Sequence, residues 1–188
     1  MPQGRKWENM GRMRSHETPE PWLRGTLAEV SPVARAVLHA LQLAQEDCEK
    51  WCGTLTDAEL NARTAGLPPV SFHLRHISRS VDRLLTYAEG GALTGDQIAA
   101  LQAEMAPGAT REEVFTELVA ELNRAAERVR ALAQRDLSEA RSVGKKELPT
   151  SLGGLLVHVA DHTQRHVGQA ITTAKIALAS RERPPWKS

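Results

Sequence analysis

Apolar residues in this chain return every three or four positions, in four separate stretches, and rarely every second. That period gathers side chains on one stripe of a helix, whereas a half-buried strand needs alternation. The first stretch opens at Ser31 and Pro32. Serine is a good N-cap, and proline is tolerated at the first helical position. Val30, Val33, Val37, Leu41, Ala44, Cys48 and Trp51 then recur at helical spacing, and Gly53 closes the run. The second runs from about 69 to 89, with Val70, Leu74, Ile77, Val81, Leu84 and Leu85 on one side and Gly90 and Gly91 at its end. The third starts at a capping box, Thr110 with Glu113, and carries Val114, Phe115, Leu118, Leu122, Ala126 and Val129. The fourth runs from about 150 to 179 on Leu152, Leu155, Leu156, Val159, Ala170 and Ala174. Thr56 with Glu59, and Thr94 with Gln97, predict two short extra helices, while Ser142 to Pro149 reads as a polar loop. Four helices with one apolar stripe each predict an all-α four-helix bundle.

The chain of 188 residues suits one such domain. The expected layout is a weakly ordered tail over 1–20, the bundle over 21–181 and a second tail over 182–188. Trp7 and Trp22 are candidate anchors of the first tail onto the body. Lys plus Arg is 24 against 23 for Asp plus Glu, a net charge of +1. That balance makes no electrostatic case for nucleic acid or an anionic membrane as partner. No apolar run approaches the ~18 residues of a membrane span, and the basic N-terminus has no apolar core of a secretory signal. Cys48 and Cys52 are four apart, which is not a redox or zinc-finger spacing, and read as two semi-buried thiols of a cytoplasmic protein.

Histidine is what the bundle pattern does not explain. Of 7 histidines, His158, His162 and His166 stand four apart on the last helix. Residues four apart lie ~6 Å apart along a helix axis and on nearly the same side. Two imidazoles so placed can converge on one ion at ~2.0–2.1 Å, but His158 and His166, ~12 Å apart, cannot both reach it. The helical wheel points His166 and His162 toward the bundle and His158 toward solvent. The second long helix offers His73 and His76 on one flank, with the small Ser80 beside them. Both remain open as a third ligand, and the wheel favours His73. Three histidines from two helices, with an open position, is the pattern of a catalytic rather than a closed structural zinc site. The di-iron alternative needs a Glu-x-x-His motif, which this chain lacks. His16 and His39 read as surface residues, as do Asp161 and Arg165.

FHLRHI in the second long helix and HTQRHVGQ in the last, with PWLRGTLAEVSPVARAVLHAL near the start, resemble the DinB/YfiT-like superfamily of four-helix-bundle proteins over residues ~20–180. The resemblance implies a divalent metal, zinc or nickel, held by His76, His162 and His166. It keeps His73 as a neighbour or substitute ligand. Gln169, in the family's Gly-Gln step, is then either an amide in the pocket or an ordinary surface residue. Tyr87 is a further candidate for the pocket wall. The resemblance also implies homodimerisation through a bundle face. For activity it implies metal-dependent transfer of a low-molecular-weight thiol to a small-molecule substrate, or hydrolysis, with His73 or a water as proton acceptor. The alternatives are a non-catalytic metal-holding stress-response or interaction bundle, and a metal-free bundle in which the histidines only pack.

Overall fold

The structure, a computed structural model, describes residues 18–182. Trp7, His16 and the segment 183–188 lie outside the described residues. Four long helices make the body: α1 (Pro32–Cys52), α3 (Val70–Ala88), α5 (Arg111–Leu132) and α6 (Leu152–Ala179). Two short helices, α2 (Asp57–Leu60) and α4 (Gly95–Gln102), lie in the connections on either side of α3. A hairpin of β1 (Ala140–Val143) and β2 (Leu148–Ser151) joins α5 to α6.

The helix starts are where the caps put them. Thr56, Thr94 and Thr110 each accept from the backbone N–H three residues on, and Glu59, Gln97 and Glu113 each reach back to the cap's own N–H. Those reciprocal bonds satisfy donors that a helix end otherwise leaves orphaned. At the head of α6, Ser151 Oγ accepts from Gly154 N–H at 3.1 Å.

The apolar stripes meet in one core. Val37, Leu41 and Cys48 of α1, Leu74, Ile77 and Leu85 of α3, Leu118 and Val129 of α5, and Leu152, Leu156 and Val159 of α6 are all buried in it. Helix α1 packs on α5 and α6, and so does α3. Helices α1 and α3 therefore occupy opposite corners, and α3 lies flank to flank with α6. That adjacency brings the two histidine-bearing helices together.

Four expectations need correction. Residues 142–149 are not a plain loop: Ala140 to Val143 pair antiparallel with Leu148 to Ser151, Ala140 opposite Ser151. Four residues per strand are too few for an alternating pattern to show in the sequence. The chain then turns straight into α6, with Leu152 N–H and Gly153 N–H donating to the carbonyls of Glu139 and Leu137 at 2.9 Å. A Cβ at Gly153 would stand 3.2 Å from Leu137 Cβ and from its carbonyl oxygen, so glycine suits that close approach. His39 is not a surface residue. It is 7 % exposed, and its Nε2 meets Thr26 Oγ1 at 3.2 Å. The segment before α1 folds back over it, with Arg24 bonded to Glu46 at 2.7 Å, and a wheel of α1 alone cannot show that cover. Trp22 anchors nothing in the core: it is 60 % exposed, its indole N–H donating to Glu20 at 2.7 Å. Cys48 and Cys52 are fully rather than partly buried. Burial pushes the Cys52 thiol up to about 12 and raises Cys48 further, so both stay un-ionised at neutral pH.

Candidate metal centre

Helix α3 supplies His73 and His76, one turn apart, and α6 supplies His162 and His166. At the contact between the two helices, one ring nitrogen each from His76, His162 and His166 lies within 4.8 Å of the other two. His76 Nε2 stands 2.9 Å from His162 Nε2. Nitrogens sharing one ion at ~2.0–2.1 Å stand about 2.8–3.4 Å apart in octahedral or tetrahedral geometry. His76 and His162 already stand at about that separation. His166 completes the cluster, its ring centroid 4.2 Å from that of His76 and 4.7 Å from that of His162.

Each of the other named histidines has its own place. His73 is buried at 3 % exposure, its Nδ1 lying 3.3 Å from Nδ1 of His166. The wheel was right that His73 is the more deeply buried of the α3 pair, but depth is not convergence, and the nitrogen cluster forms on His76. His158 is exposed and pairs with Asp161 at 2.9 Å. Asp161 in turn meets Arg165 at 3.3 Å on the solvent side of α6.

A residue that sequence reasoning missed stands behind His76. Glu104, two residues past the end of α4, is 4 % exposed. One of its carboxylate oxygens lies 2.7 Å from His76 Nδ1 and the other accepts from Arg83 at 2.8 Å. Arg75, Arg79 and Arg83 recur every fourth residue along α3 and clamp the connection that carries it. Arg75 donates to the Ala106 carbonyl at 2.7 Å and Arg79 to that of Ala100 at 2.8 Å. The arginine spacing was the available signal, because a row of cations beside a buried histidine calls for an anion from elsewhere in the chain. Burial opposes ionisation of Glu104, but the bonds to His76 and Arg83 outweigh it, and its carboxyl lies below the ordinary range. Phe72 covers the remaining side, stacked at 5.4 Å on His76.

Beside the cluster lies a cleft of about 510 Å³, lined among others by Phe72, His73, Arg165, His166, Gln169 and Thr173. Gln169 is exposed and forms part of that wall, while the Nδ1 of His76 is met by Glu104 and not by Gln169. Tyr87 is not among the lining residues. It sits eleven residues beyond His76, about three turns along α3, where it packs against the core.

The site keeps His73, His162 and His166 neutral. Burial first, and then the neighbouring His76, bring His73 down to about 4. Burial and the surrounding imidazoles bring His162 and His166 to about 4 as well. A neutral imidazole has a lone pair free for a metal, where a protonated one has none. Between pH ~6.5 and ~4 the unfolded chain binds protons at these residues that the folded chain does not, so stability falls as pH falls through that window and is fully present above it. Chelator-treated protein should therefore show a lower urea midpoint at pH 5 than at pH 7.5. A midpoint independent of pH over this range would show that these rings are not held neutral.

The family model of the DinB superfamily matches residues 40–170, which include all four clustered histidines and Glu104. Among solved structures, a crystal structure of a conserved protein from Enterococcus faecalis superposes with a TM-score of 0.65. It is 19 % identical, and the match covers 78 % of this chain and 98 % of that one, so it shows a shared fold. No curated protein matches the chain.

Proposed function

Because the chain belongs to the DinB superfamily, we propose that His76, His162 and His166 hold one divalent metal ion, zinc or nickel, in a metal-dependent enzyme. Its reaction on this reading is transfer of a low-molecular-weight thiol to a small electrophile, with hydrolysis as the variant in which water takes the thiol's place. The observation that carries the reading is the convergence of three imidazole nitrogens within 4.8 Å, from two helices, beside a cleft. The donor set suits the ion: all-nitrogen, partly buried and, at His162 and His166, neutral at pH 7. When bound, such an ion supplies a Lewis-acid position at which a thiol ionises near neutral pH.

The protein's own residues do the rest. His166, with Nδ1 turned to His73, has Nε2 left for the ion. His73, held to about 4 by burial, is a weak base at neutral pH. It therefore serves better as a neutral hydrogen-bonding group on the cleft wall than as the proton acceptor the sequence suggested. Phe72, Leu67 and Pro68 give the cleft an apolar side, and Gln169, Thr172 and Thr173 give it polar groups. A small organic electrophile with one polar end fits that lining. Among the described residues no helix is long and apolar enough to cross a membrane.

The test is elemental analysis of protein purified without chelator, followed by thermal shift with a low-molecular-weight thiol on loaded and stripped samples. About one divalent ion per chain, and a thiol shift seen only in the loaded sample, is the expected result. No metal after reconstitution would sink the reading. Metal without a thiol response would remove the case for thiol transfer and favour a bundle that only holds an ion.

A further inference from the structure

Glu104 spans two partners that lie seven residues apart on α3. His76 Nδ1 is 2.7 Å from one oxygen, and Arg83 Nη1 donates at 2.8 Å to the other. The carboxylate is almost wholly buried and comes from the α3–α5 connection, which Arg75 and Arg79 also tie down. A carboxylate so placed accepts at both oxygens. His76 Nδ1 must then carry a proton, and in the neutral ring that leaves Nε2 as the bare lone pair. Nε2 is the nitrogen facing His162.

We propose that Glu104 is the positioning residue of this site. Held by Arg83, it fixes the tautomer and ring orientation of His76 so that the Nε2 lone pair faces His162 and His166. The role rests on the metal reading above, but its first half, the tautomer, does not need an ion. In the metal-free site, a bare Nε2 on His76 accepts the Nε2–H of His162 across their 2.9 Å contact. An ion would take the place of that one proton, which His162 can move to its own Nδ1. The α4 connection is on this account part of the site, and more than a link between two bundle helices.

Glutamine at 104 separates this role from space filling, because it matches glutamate in shape and cannot satisfy both partners. Its amide N–H₂ must face either Arg83, donor against donor, or His76. In the second case Nδ1 becomes an acceptor and the proton moves to Nε2, the ligand atom. The experiment has two arms. The first reads the imidazole ¹⁵N shifts of His76 in chelator-treated wild type, assigned against His76→Ala. The second titrates Zn²⁺ into wild type, Glu104→Gln and Arg83→Met, with melting temperature and far-UV circular dichroism as controls on folding.

An Nδ1–H tautomer in the wild type, together with a Zn²⁺ affinity lowered about 10–100-fold in Glu104→Gln, is the expected outcome. Arg83→Met should lose less, since Glu104 keeps its charge. An Nε2–H tautomer in the wild type would overturn the proposal whatever the variants do. So would a folded Glu104→Gln that binds Zn²⁺ as tightly as wild type. Should the wild type bind no Zn²⁺ at all, the metal reading fails, and the tautomer alone then upholds or overturns the role of Glu104. If Glu104→Gln fails to fold, the tautomer and the Arg83→Met titration decide.

Discussion

His162→Ala is expected to take the protein from about one divalent ion per chain to none, with the helical fold kept. His162 stands 2.9 Å from His76 and its ring centroid lies 4.7 Å from that of His166, so it is one of three converging ligands. Removing it leaves two nitrogens, and two imidazoles hold a divalent ion poorly against water and chelators. The loss should exceed the about 10–100-fold that follows removal of an outer-sphere partner. Folding should survive, because His162 is only partly buried and alanine is the best helix former. Elemental analysis and a Zn²⁺ titration of His162→Ala beside His158→Ala read the result. His158, exposed and paired with Asp161 at 2.9 Å, should be nearly silent on metal. Metal lost in His158→Ala and kept in His166→Ala would instead shift the whole site by one turn of α6.

The extent to which the sequence alone could show this site differs between its parts. The helices were legible because caps and apolar stripes are local: Thr56, Thr94 and Thr110 do within four residues what the sequence says they do. His162 and His166 were legible for the same reason, since spacing on one helix fixes which side they share. The choice between His73 and His76 was not. A wheel reports distance from the apolar stripe, and by that measure His73, the more buried, wins. What selects His76 for the cluster is the flank-to-flank packing of α3 on α6, a relation between two segments that no periodicity in either contains. Glu104 is a stronger case. It lies on a connection, and only the folding of that connection against Arg75, Arg79 and Arg83 brings it to His76. His39 fails in the same way from the other direction, because its cover comes from outside its helix. In each instance the unread information is tertiary, and burial inferred from one element is blind to what packs over it.

Leu156→Ala should be the most damaging single truncation of the bundle among those named here, and it tests the frame that holds the site. Leu156 is fully buried on α6, six residues before His162. Leucine-to-alanine changes in a packed core cost about 2–5 kcal/mol, because transfer free energy is lost and a cavity is left. That is a large share of the about 5–15 kcal/mol by which a domain is stable. In a chain of this size each kcal/mol moves the melting point by roughly 2–4 °C, so a fall of about 5–15 °C is expected, with the urea m-value unchanged. The same variant shows whether core and metal site act independently. Ligand binding raises apparent stability by about 2.7 kcal/mol at a hundredfold excess over Kd, whatever the starting stability. The sites are about 9 Å apart along the helix and share no named contact, so their effects should nearly add. Zn²⁺ should then raise the midpoint of wild type and Leu156→Ala by the same free energy. A cost under about 1 kcal/mol would contradict the packing described here. A far larger rescue of the variant than of the wild type would show that the cavity reaches the ligands, and that α6 is held in register by the ion as much as by its apolar face.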